Sequence, residues 1–287
     1  MMLKSLFFLL SFLSVIQNIF ALSLAEQLKH SGYVEIDDSP YYKTVTYDAL
    51  YAYFDELVAF LQENPRWAQR LYCAKERFIR SADRQYYATE FFGFYDESEL
   101  KGRYQISFYY SVHFHQFVYA RYPDLKALPE IAQFFEACFE IQKPYGDLFN
   151  RVAVELGLAT LFSSSYGQQP PILFKVVKYC DSYTPSRPHY DGTAFSLFLN
   201  STDNESLLLS PYKQSFTIDD FFSPVRVLKE YSVVLIVGTL LQEYGIQPTP
   251  HIVIASDKPR YSTIAFALRP HFTSRNSALP VLPNFKT

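Results

Sequence analysis

His189, Asp191 and His251 are the side chains of this sequence best suited to holding a transition metal. The first two are separated by Tyr190 alone, and the third follows 62 residues after His189. A histidine and a carboxylate two apart converge when one ends a strand and the other opens the following loop. Two imidazoles and one carboxylate on one face of a first-row cation leave positions open for a cosubstrate and O₂. That facial pattern marks mononuclear non-haem Fe(II) chemistry. A neutral imidazole and an ionised carboxylate suit such a cation near neutral pH. His-x-Asp alone is common by chance, and a single histidine is more often structural than a ligand. The sequence adds Arg260-Tyr261-Ser262, nine residues after His251. Alternate residues of a strand share a face, so Arg260 and Ser262 would present a guanidinium fork beside a hydroxyl. That pair suits a carboxylate. The plain alternative is a surface Arg and Ser on an edge strand. The apolar run Ile264 to Leu268 speaks against it.

Other candidates carry less. His113 and His115 form a His-x-His pair without a suitably spaced carboxylate, and His30 and His271 read as solvated or structural. Glu90, Asp96, Glu97 and Glu99 read as an acidic loop. Cys73, Cys138 and Cys180 form no short metal-binding pair and no even disulfide framework. Cys73 and Cys138 are expected in helical core positions. No Gly-rich phosphate loop or nucleophile elbow is present. Asn200-Ser201-Thr202 and Asn204-Glu205-Ser206 fit the glycosylation pattern, which is common by chance.

These groups need a scaffold, and the composition supplies one. The 287 residues are 49% hydrophobic and carry a formal charge of only −3. That is enough for a large core and argues against disorder. The charge balance offers no footprint for nucleic acid. Lys4 precedes an apolar run from Leu6 to Ala21. The run reads as a signal peptide or membrane anchor over 1–21, placing the protein in an exported or anchored location. A buried first helix, and a cytoplasmic location, is the alternative.

Leu50, Phe54, Leu57 and Leu61 have helical spacing, and that helix should stop at Asn64-Pro65. A second helix is expected from Trp67 to Ile79 and a third from Pro129, carrying Ile131, Phe135, Cys138 and Ile141. Pro144 should break it. A continuation through Leu148, Val152 and Leu156 should end at Gly157. From Pro170 the pattern changes to short β-rich runs: 172–180, 195–200, 207–209, 225–228, 233–237, 251–255 and 261–268. Short strands separated by turn residues predict a sandwich or barrel. With no flexible linker, the expected organisation is one domain over 22–287. It comprises a helix-rich part (22–165), a β core with the metal site (166–275) and a tail (276–287).

The segment His189-Tyr190-Asp191-Gly192-Thr193-Ala194-Phe195-Ser196-Leu197-Phe198, then Gly238-Thr239-Leu240-Leu241-Gln242, then His251-Ile252-Val253 and Arg260-Tyr261-Ser262, resembles the 2-oxoglutarate/Fe(II) oxygenases of the isopenicillin N synthase-like group. Order and spacing both agree with that family's pattern. Gly32-Tyr33-Val34 resembles its opening strand, and Val177-Lys178-Tyr179 the strand before His-x-Asp. The resemblance spans roughly Leu24 to His271 and is strongest in the second half. It departs at Tyr190, at Gly192 (one position early), at Thr239 in place of Asp, and at Cys180-Asp181-Ser182. No departure removes a candidate ligand. Retention of Asp191 argues against halogenating relatives.

The resemblance implies a mainly β fold, a double-stranded β-helix (jelly-roll) core with N-terminal helices packed on it. It implies that His189, Asp191 and His251 bind Fe(II), that Arg260 and Ser262 hold the far carboxylate of 2-oxoglutarate, and that Tyr179 assists. The implied activity is that of a dioxygenase. It consumes O₂ and 2-oxoglutarate and hydroxylates, desaturates or cyclises a small organic molecule, with ascorbate an expected stimulant. Membrane attachment is expected only through the N-terminal segment, and nothing in the sequence fixes an oligomeric state. Two alternatives stand beside this: a catalytically silent jelly-roll binding protein, and an iron oxidase of the same group that does not use 2-oxoglutarate. Binding of Fe(II) separates the first, and titration with 2-oxoglutarate the second.

Overall fold

The computed structural model describes residues 23–37, 45–81, 89, 91–100, 104–162, 171–180, 188–202, 207–210, 232–253 and 259–268. The expected leader over 1–21, the run 225–228, Glu90, the second glycosylation pattern, His271 and the tail 276–287 lie outside them. Among the described residues, no helix is long and apolar enough to cross a membrane.

The helices begin and end where local chemistry dictates. Helix α1 (Leu24–Ser31) has a capping box, in which the Ser23 hydroxyl and the Glu26 carboxylate each accept from the other residue's backbone N–H. Its chain leaves through Gly32 at φ +78°, a conformation glycine adopts without strain, into strand β1 (Tyr33–Asp37). Helix α2 (Tyr47–Glu63) starts with the Thr46 hydroxyl accepting from Ala49 N and stops before Pro65. Pro65 then opens α3 (Pro65–Ile79). Helix α2 thus starts three residues before the first apolar residue of its spacing, Leu50, and α3 two residues before Trp67, because threonine capping and proline at the first turn extend them. Helix α4 (Val112–Arg121) and the short α5 (Pro123–Lys126) follow. Then come α6 (Pro129–Gln142) and α7 (Tyr145–Glu155), separated at Pro144 as expected.

The strands are β2 (Gly93–Glu97), β3 (Gln105–Tyr110), β4 (Ile172–Tyr179), β5 (Phe195–Ser201), β6 (Leu207–Leu209), β7 (Ser232–Val237), β8 (His251–Val253) and β9 (Arg260–Ala267). One antiparallel sheet runs β1-β7-β5-β9-β4-β3-β2, and β6 pairs with β8 in a smaller one. This is the expected jelly-roll arrangement with helices on its outer face. Phe198, Val234, Ile236 and Ile264 of the large sheet cluster with Leu207 and Leu209 of the small one. On the opposite face Leu197, Leu235, Ala265 and Ala267 join the helical core of Phe54, Leu57 and Phe134. Burial on both faces makes these strands nearly continuous apolar runs.

Three readings need correction. Besides the expected opening strand β1, the helix-rich segment supplies β2 and β3 to the large sheet, so the split into a helical and a strand half is incomplete. Strand β3 buries Ile106, Phe108 and Tyr110, and Phe108 meets Phe134 at 5.0 Å and Phe135 at 5.5 Å. Asp96 and Glu97 belong to β2 rather than to a loop. Asp96 accepts from Gln62 and Ser98. Cys138 is buried as expected, but Cys73 is half-exposed.

Candidate metal centre

The site forms where the two sheets face each other. His189 and His251 are bridged main chain to main chain: His189 N donates to His251 O (2.9 Å) and His251 N to His189 O (3.0 Å). Two segments far apart in sequence are thereby held in register. The imidazole rings lie 4.3 Å apart, centre to centre. Asp191 completes the group, with one donor atom from each residue lying within 4.8 Å of the others. Asp191 Oδ1 is 3.7 Å from His251 Nε2 and 3.9 Å from His189 Nε2. Both separations exceed a hydrogen bond.

The three side chains differ in exposure: 3% for His251, 15% for Asp191 and 41% for His189. The set therefore has a buried floor and one open flank. Burial pushes the His251 pKa below the usual imidazole range, against the pull of Asp191 and with the push of His189. Its Nδ1 lies 3.3 Å from Thr249 O. A carbonyl can only accept, so Nδ1 carries the proton and Nε2, 3.7 Å from Asp191 Oδ1, keeps its lone pair. Thr249 is fixed in turn. It bonds through its hydroxyl to Gly32 O, accepts there from Val237 N, and donates its own N–H to Val237 O.

The loop bearing Asp191 is gripped by the turn after β7. Thr239 N donates to Asp191 O (2.8 Å), Leu240 N to Thr193 O (3.1 Å) and Gly238 N to Ala194 O (3.0 Å). A Cβ on Gly238 would stand 2.1 Å from Thr193 O, so only glycine permits this approach. Thr239 contributes only a main-chain donor, so its side chain, which departs from the pattern the sequence resembles, leaves this grip intact. Ser196 Oγ donates to Asp191 Oδ2 at 2.6 Å and lies 3.0 Å from Thr193 Oγ1. Ser196, Thr193, Gly238 and Thr249 were not singled out as functional from the sequence. The signal for Ser196 was its period-two relation to Phe198, whose ring centre lies 5.7 Å from that of His251.

Arg260, Ser262 and Tyr179 are brought together on the same inner face. Strand β9 lies between β5 and β4, so Arg260 and Ser262 are not on an edge. Arg260 is 1% exposed and Ser262 is buried. Tyr179 stands directly opposite Arg260, with the guanidinium 4.7 Å from the centre of its ring. Tyr179 also packs with Val253, two residues along β8 from His251. Ile264, on the same face of β9, pairs with Phe198 beside His251. The basic end and the histidine end thus lie on the same inner side of the large sheet, each against its own apolar cluster.

The His113-His115 pair behaves differently. His115 Nδ1 meets the Tyr110 hydroxyl at 2.8 Å. Burial, with Lys126 nearby, lowers its pKa to about 4. It is a packed core residue. Asn200, the first glycosylation pattern's asparagine, accepts from Tyr51 through Oδ1 at 2.9 Å, so its amide is turned into the fold.

No family profile and no curated protein sequence matches the chain. Solved structures do. The dioxygenase for auxin oxidation 1 from Arabidopsis thaliana, in complex with 2-oxoglutarate, aligns with a TM-score of 0.56 and 17% identity, covering 86% of each chain. The dioxygenase for auxin oxidation of rice aligns with a TM-score of 0.53 and 20% identity, covering 86% of this chain and 76% of that one. Identities this low speak to architecture, and the chain has the fold of these dioxygenases.

Proposed function

We propose that the protein is an Fe(II)- and 2-oxoglutarate-dependent dioxygenase acting on a small organic molecule. The observation that carries the reading is the convergence of His189, Asp191 and His251, with donor atoms within 4.8 Å, inside a jelly roll. The donor set fits ferrous iron, since two imidazoles and a carboxylate on one side are the ligands such centres use. His251 is held neutral with Nε2 as its free donor, which suits a ligand. Iron, when bound, supplies the activation of O₂.

The remaining work falls to the protein. Arg260 and Ser262 offer a buried cation and a hydroxyl to one end of a diacid, and Arg260 binds carboxylates as a fork. Tyr179 covers that fork and holds its plane. Phe198 and Ile264 near the histidines, and Val177 and Val253 near Tyr179, make the surroundings of both ends apolar. The half-exposed flank at His189 is where a substrate would approach. The solved relative bound to 2-oxoglutarate supports the same cosubstrate here.

The test is aerobic incubation with Fe(II), ascorbate and 2-oxoglutarate, following succinate. The wild-type protein should form succinate, slowly without substrate and faster with the right one from a metabolite panel. Asp191→Ala should form none above background. Equal succinate release by Asp191→Ala and wild type contradicts the proposal.

A further inference from the structure

We propose that Ser196 is a positioning residue that makes Asp191 a one-oxygen ligand and so sets how many positions on the metal stay open. The proposal rests on the metal-site reading above. The two oxygens of Asp191 have different surroundings. Oδ1 is the one near both imidazoles, 3.7 Å from His251 Nε2 and 3.9 Å from His189 Nε2. Oδ2 is bonded to Ser196 Oγ at 2.6 Å, within the short range of hydroxyl–carboxylate bonds.

The direction of each bond follows from the donor inventory. A carboxylate can only accept, so the single Ser196 proton goes to Oδ2. The 3.0 Å contact between Thr193 Oγ1 and Ser196 Oγ must then run from Thr193 to Ser196. Thr193 to Ser196 to Asp191 is a directed relay, in which each bond polarises the next. Ser196 and Thr193 are both buried, so solvent does not substitute for either hydroxyl. The relay cannot drift, because Thr193 O accepts from Leu240 N and Asp191 O from Thr239 N. Gly238 packs against Thr193 too closely for any Cβ.

The consequence lies in the coordination count. With one aspartate oxygen engaged, His189, His251 and Asp191 would supply three donor atoms to a bound ion, leaving positions for a chelating keto acid and O₂. A carboxylate released from Ser196 can turn both oxygens to the metal and take one of those sites. Ser196 thereby protects the cosubstrate's place.

The experiment uses Co(II)-loaded full-length protein. It reads Co(II) affinity, the visible Co(II) absorption spectrum and the affinity for added 2-oxoglutarate. Ser196→Ala is expected to change the Co(II) spectrum, to shift Co(II) affinity by about 10- to 100-fold at most, the usual cost of losing a ligand's hydrogen-bond partner, and to weaken 2-oxoglutarate binding. Ser196→Thr, which keeps the hydroxyl, should restore all three. Should Ser196→Ala not fold, Thr193→Val is read instead, with a smaller shift in the same direction expected. A Ser196→Ala protein with wild-type spectrum and wild-type 2-oxoglutarate affinity overturns the role of Ser196 alone. So does an unaltered Thr193→Val protein. A wild-type protein that takes up no Co(II) overturns the metal-site reading and this proposal together.

Discussion

Lys178 and Tyr261 stand directly opposite each other across β4 and β9, and both bond to Asp55 of α2. One position along, on the reverse face of the same two strands, Tyr179 and Arg260 form the matching pair. The strand pair that carries Arg260 is therefore clamped from behind by a helix. Asp55 is 43% exposed and Lys178 28%, so solvent screens much of the attraction. Asp55→Ala is expected to lower stability by about 1 kcal/mol, the scale of one partly exposed charged bond. A shift in the urea midpoint at constant slope checks this.

Tyr51 is a second tie between α2 and the sheet. Its hydroxyl donates to Asn200 Oδ1 (2.9 Å) and accepts from Thr263 Oγ1 (3.1 Å). Burial pushes its pKa well above the usual phenol range, so it stays a phenol. Tyr51→Phe leaves two interior groups without their partner, and a loss of about 1–3 kcal/mol is expected. Tyr51 touches the helical side of β9, so Co(II) affinity should not change. Denaturation and metal titration of the same preparation separate the two effects.

Gly238→Ala tests the grip on the ligand loop. The new methyl would meet Thr193 O at 2.1 Å and Thr193 Oγ1 at 2.6 Å. Neither the backbone carbonyl nor the relay hydroxyl can yield without displacing Asp191. Co(II) affinity is expected to fall at least about 10-fold, as when a ligand's support is lost. Equilibrium titration with Co(II) reads it.

Much of this site was legible before any coordinates. His189, Asp191, His251, Arg260 and Ser262 were marked by residue type and by strand alternation, and the structure groups them on one interior. The β-rich runs after residue 170 were legible because both faces of those strands are buried. Strands β2 and β3 were less so. They lie between helices, and the acidic residues of β2 hide its pairing with β3. The supports of the metal centre were not legible for a different reason. Ser196, Thr249 and Gly238 act through hydrogen bonds and close approach across long sequence distances, such as Thr249 to Gly32. Strand period puts Ser196 on the face of Phe198, but nothing in composition or period names the groups these residues bond.

Arg260→Ala should separate the anchor from the metal. A buried charged hydrogen-bond donor is worth about 1.5–3 kcal/mol, or roughly 10- to 100-fold in affinity. The 2-oxoglutarate affinity of metal-loaded protein should fall by that factor. Metal affinity should hold, since a guanidinium carries only donors and offers no lone pair to a cation. Titrating 2-oxoglutarate into anaerobic Fe(II) protein and following the new visible absorption measures it.

His115 should impose an acid limit on stability. Its folded pKa is pushed down to about 4, first by burial and then by Lys126. Glu136, 3.6 Å from Nε2, opposes this, but its side chain is 59% exposed and also bonds Tyr119. Tyr110 and Tyr119 complete the surroundings. The unfolded chain takes up this proton near the ordinary histidine value of about 6.5, and the folded chain only near pH 4. The contribution is thus complete above pH 6.5 and fades as pH falls from there toward 4. Melting temperatures across that window should fall less steeply for His115→Gln than for wild type.

The most direct measurement is Fe(II) uptake by reduced, anaerobic, folded protein, with wild type, His189→Ala, Asp191→Ala and His251→Ala side by side. One ferrous ion per wild-type chain is expected, with affinity lost in each variant while circular dichroism shows the fold intact. A folded wild-type protein that takes up no ferrous ion, or variants that bind it as tightly as wild type, would contradict the metal centre described above.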